Sequence, residues 1–312
     1  MNRRSFLATA AAAGATAQPA PIPIIDTHIH LFDPTRPEGV PWPPKTNPIL
    51  YKPALPSRYR EVTKGLGVVG AIEVECSPWL EDNQWVLDVA EKDTIMVGMV
   101  GDLEPGKPDF AKQLERFHKN PLYLGIRYGY LWDRNLGAEL KKPEFIAGLK
   151  LLASAGLVLD TANPSARTLG DVVTISDKVP GLRVVIDHLP RMAVPKEPAE
   201  RAEYHRLMRE LSKRPKVYVK VSEVLGNYDG RVPLDLNFYR PKLDEMWETF
   251  GEDRVLYGSD WPNSDPVGTY PQVLAVVREY FTGKGRQAAE KYFWRNSVAA
   301  YKWVKRAANQ PG

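Results

Sequence analysis

A single cysteine, Cys76, in 312 residues excludes an internal disulfide and any cysteine-based zinc ribbon. Histidine is nearly as scarce: the five stand at positions 28, 30, 118, 188 and 205, so imidazole chemistry has few places to sit. After the N-terminal segment, no apolar run approaches the roughly 20 residues that cross a bilayer as a helix, and the chain is expected to be soluble. Net charge is also low, 42 basic against 38 acidic side chains with both signs dispersed. That balance gives no electrostatic case for nucleic acid. No linker, repeat or low-complexity stretch suggests a second domain, and no motif sets an oligomeric state.

The first residues read as a targeting signal rather than structure. Arg3 and Arg4 form a twin-arginine pair ahead of Ser5-Phe6-Leu7, and an Ala-rich run ends at the small-x-small site Ala15-Thr16-Ala17. The pair resembles a Tat export signal; a Sec signal with a basic start is the alternative. Either route puts the mature chain, residues 18–312, in the periplasm or outside the cell. Cleavage after Ala17 removes two basic and no acidic side chains, lowering the formal charge from +4 to +2.

Short β-rich runs recur at 22–26, 68–75, 95–100, 122–127, 157–160, 183–187, 216–221 and 255–257. Between them lie stretches of helical length and pattern, at about 57–65, 81–92, 109–119, 143–155, 165–178, 198–213, 236–250 and 266–281. Pro143 and Pro266 stand near helix starts and Gly65, Gly156 and Gly251 near helix ends. Unbroken strand–helix alternation predicts a single (β/α)₈ barrel. A last helix, about 285–306, should pack outside it. The irregular stretches 31–55 and 129–142 each follow a strand and should lie on the catalytic face.

Asp26-Thr27-His28-Ile29-His30 closes the first run. Alternation along a strand points His28 and His30 the same way, with Cα atoms about 6.5–7 Å apart, so both rings can converge on one cation. Asp187-His188 ends the sixth run and Gly258-Ser259-Asp260-Trp261-Pro262 the eighth. All four candidates thus sit at strand ends, where barrel active sites are built. His118 and His205 fall on outer helices and read as surface residues.

"DTHIHLFDP", "GIRYG", "VIDHLPR", "VYVKVS" and "VLYGSDWP", spread from Asp26 to about Lys302, resemble the amidohydrolase superfamily branch that holds the L-fuconolactonases and pyrone-dicarboxylate lactonase. The resemblance implies that Asp260 is the general base toward the attacking water and that His28, His30 and His188 hold one divalent metal, with Asp260 and His188 counted among both catalytic groups and ligands. By donor type that metal is zinc, with manganese as an alternative. Some lactonases of the branch work without metal, so a metal-free site is the other alternative. The resemblance further implies that Arg127 and Arg191 grip substrate carboxylate, for which guanidinium is a bidentate fork.

Departures from the branch are informative. Glu75 stands where many relatives have glutamine, and as a hard oxygen donor at a strand end it is expected to be a further metal ligand. Its parity mate Glu73 should then face the barrel too. Lys220-Val221-Ser222-Glu223 replaces Lys-Leu-Ser-Gly, and Asp160-Thr161 lacks the histidine of many binuclear amidohydrolases. Trp42, Trp79, Trp132 and Trp261, in loops after strands, could wall a ring-shaped substrate; each taken alone reads as a loop anchor.

These readings converge on hydrolysis of a lactone, or a related cyclic ester or acyl bond, of a sugar-derived or aromatic acid. Non-oxidative decarboxylation on the same barrel is the alternative enzymatic reading. A catalytically silent periplasmic binding protein is the reading from another class.

Overall fold

The computed structural model describes residues 20–312, so the expected signal segment lies outside the described residues. Its elements follow in order. Strand β1 (Ile24–Ile29) leads through a long loop to α1 (Pro56–Thr63), then β2 (Val68–Val74), α2 (Asp82–Glu91), β3 (Met96–Gly101) and α3 (Phe110–His118). Next come β4 (Tyr123–Arg127), the short α4 (Leu136–Glu139), α5 (Pro143–Ser154), β5 (Val158–Thr161) and α6 (Ala166–Lys178). The second half runs β6 (Arg183–Ile186), a 3₁₀ turn (Leu189–Arg191), α7 (Pro198–Ser212), β7 (Val217–Val221), α8 (Leu236–Phe250), β8 (Val255–Tyr257) and α9 (Tyr270–Gly283).

Local chemistry explains many boundaries. Ser165 caps α6 by accepting from the Thr168 amide, and Thr269 with Gln272 forms a capping box on α9. In α3, Phe110, Leu114 and Phe117 recur at helical spacing and form its buried stripe against the barrel.

The eight strands pair in parallel in sequence order, β1 through β8, so the expected barrel is present. One apolar cluster fills its axis, with Ile25, Ile72, Val97, Leu124, Val158, Val185, Tyr218 and Leu256 contributed by successive strands. A larger cluster cements strands to helices.

The expected C-terminal helix is present: α10 (Arg286–Glu290), a π segment (Lys291–Arg295) and α11 (Asn296–Tyr301) follow one another without a gap, and Lys302, in a left-handed conformation, ends them short of the expected 306. That ending places Tyr301 and Trp303 in the axial cluster. Burying two large rings in the barrel outweighs continuing a helix along its surface.

Candidate active site

The barrel closes between its first and last strands, and the closing bonds lie in the site itself. The Asp260 amide donates to the His28 carbonyl at 2.8 Å, and the His30 amide to the Trp261 carbonyl at 2.8 Å. Asp26 ties the seam below: Oδ1 accepts from the Ser259 amide at 2.9 Å, and Oδ2 from the hydroxyls of Tyr59 at 2.8 Å and Tyr270 at 2.9 Å. A Cβ at Gly258 would stand 2.8 Å from His28 Cβ, so only glycine lets the strands meet here. A register shift between Asp26 and Ile29 sets the inward direction of the His-x-His pair.

Above this seam, three imidazoles face one carboxylate oxygen. Asp260 Oδ1 lies 3.1 Å from His30 Nε2, 3.5 Å from His28 Nε2 and 3.9 Å from His188 Nε2. His30 Nδ1 contacts the Val74 carbonyl at 2.7 Å, which fixes the proton on Nδ1 and leaves Nε2 a free lone pair. His188 Nδ1 lies 2.8 Å from Ser222 Oγ. Burial, aided by Lys220 at His28 and by Arg127 at His30, drives the ring pKa values down, at His30 to about 4; at His188 burial and His28 do the same. The rings are therefore neutral at neutral pH, the state in which histidine ligates metal.

Asp260 is pushed up to about 6 by burial, against the hydrogen bond from Asn263 and the positive charge of Arg127. Asn263 Nδ2 holds its Oδ2 at 2.6 Å, leaving Oδ1 toward the rings. Asp260 and His188 are left-handed, at φ 59° and 53°, as are Glu223 and Asn163 beyond neighbouring strands. Such backbone persists only where the surroundings impose it, and here it clusters on one face of the barrel.

A divalent cation fits this donor set. Ligand atoms of His28, His30 and Asp260 lie within 4.8 Å of one another, as do those of His188, Glu223 and Asp260, and His28 Nε2 has no hydrogen-bond partner among the described residues. One ring carries a condition. Lys220 Nζ, a donor without acceptor capacity, sits 3.3 Å from His28 Nδ1. Ligation through Nε2 requires the ring's proton on Nδ1, which faces Lys220 and, at 3.7 Å, Asp187 Oδ1.

Lys220 itself was not given a role by the sequence. It is fully buried, 2.5 Å from Asp160 Oδ2 and 3.0 Å from Asp187 Oδ1, and Tyr301 also donates to Asp160. A lysine inside the apolar run Val217–Val221 was the available signal, since a buried charge requires partners.

Glu75 is corrected. It joins none of the convergent groups among the described residues; its Oε2 accepts from Trp132 Nε1 at 3.0 Å. Glu73 and Glu75 share their cavity with Asp82, Asn83 and Val86 of α2, so this face of β2 meets the helix layer, while Ile72 and Val74 take the axis.

The two arginines both line the active pocket, together with Trp42 and Trp132. Arg127 is committed through Nε to Asp187 Oδ2 at 3.1 Å and through Nη1 to the Glu75 carbonyl at 3.3 Å. Arg191 pairs with Glu223 at 2.8 Å. Trp261 is fully buried against Tyr59, a structural role, and Trp79 is partly exposed outside this pocket. Cys76 lines the pocket, but burial pushes its thiol well up, which removes it as a nucleophile. His118 and His205 are exposed, as expected.

An eight-stranded parallel barrel with histidines and a carboxylate converging on its mouth defines the class of (β/α)₈-barrel hydrolases. The comparisons agree. A family model described as amidohydrolase matches residues 25–303, and the chain belongs to that family. It is 28% identical over 246 residues to an L-fucono-1,5-lactonase of Burkholderia ambifaria, covering 79% of this chain and 82% of the relative. An amidohydrolase of Burkholderia multivorans with bound zinc superposes with a TM-score of 0.78 at 20% identity, over 90% of this chain and 100% of the other. A dihydroxybenzoic acid decarboxylase of Polaromonas with bound manganese superposes at 0.62 and 15% identity, over 92% and 98%. Among the described residues, no helix is long and apolar enough to cross a membrane.

Proposed function

We propose that the pocket hydrolyses a lactone, or a related cyclic ester or acyl bond, of a sugar-derived or aromatic acid. The observation that carries this reading is the single carboxylate oxygen, Asp260 Oδ1, set among three neutral imidazoles at the floor of an aromatic-walled pocket. The lactonase relatives support it.

Asp260 is the general base. With its pKa near 6 it is mostly ionised at neutral pH yet still basic enough to take a proton from water. That water adds to the acyl carbon and the ring C–O bond breaks. The proton held at Asp260 passes to the departing alkoxide, so water is consumed and one hydroxy acid is released. Arg127, fixed by Asp187 and the Glu75 carbonyl, presents positive charge toward the developing oxyanion. His28, His30, His188 and Asp260 would hold one divalent ion, zinc by donor type, which supplies Lewis-acid polarisation of the acyl oxygen when bound. We also propose export through the Arg3-Arg4 signal.

The test is turnover on a lactone panel, with product analysis and metal content of the same preparations. Asp260→Asn keeps size but cannot accept the proton, and should fold yet lose roughly 10²–10⁴ in kcat. Turnover within a few-fold of wild type would remove Asp260 from the mechanism. Released CO₂ in place of ring-opened acid would replace hydrolysis by decarboxylation, a reaction for which the Polaromonas neighbour gives a precedent on this fold. Full activity in demonstrably metal-free protein would remove the cation from the reading.

A further inference from the structure

Glu223 stands just beyond β7 with φ 49°, a conformation L side chains rarely adopt. It is held there from two sides. Its Oε2 meets Arg191 Nη1 at 2.8 Å, and its Oε1 accepts from Asn263 Nδ2 at 3.2 Å, the same amide that orients Asp260. Glu223 is itself largely buried, its side chain 14% exposed, whereas Arg191 is 65% exposed. Arg191 and Arg127 are the arginines of the pocket wall, and Arg127 is already tied to Asp187.

We propose that Glu223 sets the charge selectivity of the pocket: by engaging Arg191 it occupies the guanidinium that would grip a substrate carboxylate, so the site takes lactones whose substituents are hydroxyls. The inference rests on the reading of the pocket as a lactone hydrolase. A carboxylated substrate would have to displace Glu223 from Arg191 and leave it beside Asp260 with no cation and only the Asn263 amide, so that two acidic groups and a third carboxylate would share one pocket. A hydroxyl, by contrast, donates to Glu223 or Asp260 and finds acceptors already in place. Discrimination therefore comes from a built-in repulsive element as much as from attraction.

The experiment compares kcat/KM for a hydroxylated aldono-1,5-lactone and a carboxylated pyrone in wild type, Glu223→Gly, Glu223→Gln, Arg191→Ala and the Glu223→Gly/Arg191→Ala double variant. Glycine is the natural tenant of a left-handed position, and glutamine keeps the side-chain volume should glycine loosen the loop. Wild type should prefer the hydroxylated lactone. Glu223→Gly should shift the preference toward the carboxylated one by on the order of tenfold or more, the worth of one charge-assisted hydrogen bond. Glu223→Gln should shift it part of the way, and the double variant should lose the gain. Calorimetric titration with glutarate gives a readout independent of turnover: binding to Glu223→Gly and none to wild type. If wild type turns over no lactone, the hydrolase reading falls, while gained glutarate binding still upholds the masking of Arg191. Equal glutarate binding by wild type and Glu223→Gly, a carboxylate preference in wild type, or a gain that survives removal of Arg191 each overturns the proposal.

Discussion

Glu73 carries a fully buried carboxylate whose two oxygens meet no hydrogen-bond partner among the described residues. Burial first, and Glu75 second, push its pKa well above the ordinary 4.5. The folded state therefore holds a proton that the unfolded chain releases, and stability is lost as pH rises from the unfolded value toward the folded one. Glu75, raised to about 8 by burial, adds to the same slope. Glu73→Gln cannot ionise, so its thermal midpoint should run close to wild type near pH 4 and exceed it increasingly toward pH 8. Parallel curves across that range would show that Glu73 is already compensated. At this scale the sequence was uneven. His28, His30, His188 and Asp260 were legible because strand alternation and strand-end position restrict where those side chains can go. Glu75 was not: which face of β2 looks inward depends on its pairing with β1 and β3, and register shifts in both pairings are invisible to a count of residues.

The elements of the barrel were written plainly in alternating apolar runs, and the observed β2, β3 and β4 begin within a residue of their expected starts. The ends were harder. Strand β1 runs on to Ile29 because β8 and β2 both bond to it, a tertiary effect, and the C-terminal helix stops at Tyr301, where the barrel offers burial to Tyr301 and Trp303. The seam between β1 and β8 is where element and site coincide, and it can be tested through one methyl group. Gly258→Ala places a Cβ 2.8 Å from His28 Cβ and 3.3 Å from Ser222 Cβ, contacts that force the strands apart. Overpacking of this kind costs about 1–3 kcal/mol, and because the displaced strand carries Asp260, kcat/KM should fall further than stability alone explains. Gly283→Ala is the control, since nothing lies within 4 Å of its Cβ. Denaturant unfolding and turnover measured on both variants check the pair. A Gly258→Ala enzyme as stable and active as the control would mean that the seam relaxes freely and does not set the site.

For the whole molecule, the decisive contacts are long-range. Asp260 meets His30 across 230 positions, Arg183 the Ala300 carbonyl across 117, and Tyr301 the Asp160 carboxylate across 141. The barrel cannot close, nor the axis be plugged, until nearly the last residue has been made; such non-local topologies fold slowly and as a unit. An exported protein of this kind either threads through its translocon unfolded and completes these contacts outside, or crosses after they have formed. Under the export proposed above, the twin arginines Arg3-Arg4, ahead of an Ala-rich run and the Ala15-Thr16-Ala17 site, would select the second route, in which the folded cargo carries its assembled site across. Replacing both arginines by lysine conserves charge and leaves residues 18–312 untouched, so folding and activity of the cytoplasmic pool should be unaffected. Under this reading the mature form should vanish from the periplasmic fraction while full-length, active precursor accumulates inside the cell. Undiminished periplasmic yield from the doubly substituted precursor, or from wild type in cells lacking the Tat translocase, would assign the segment to the Sec route and place barrel closure after export.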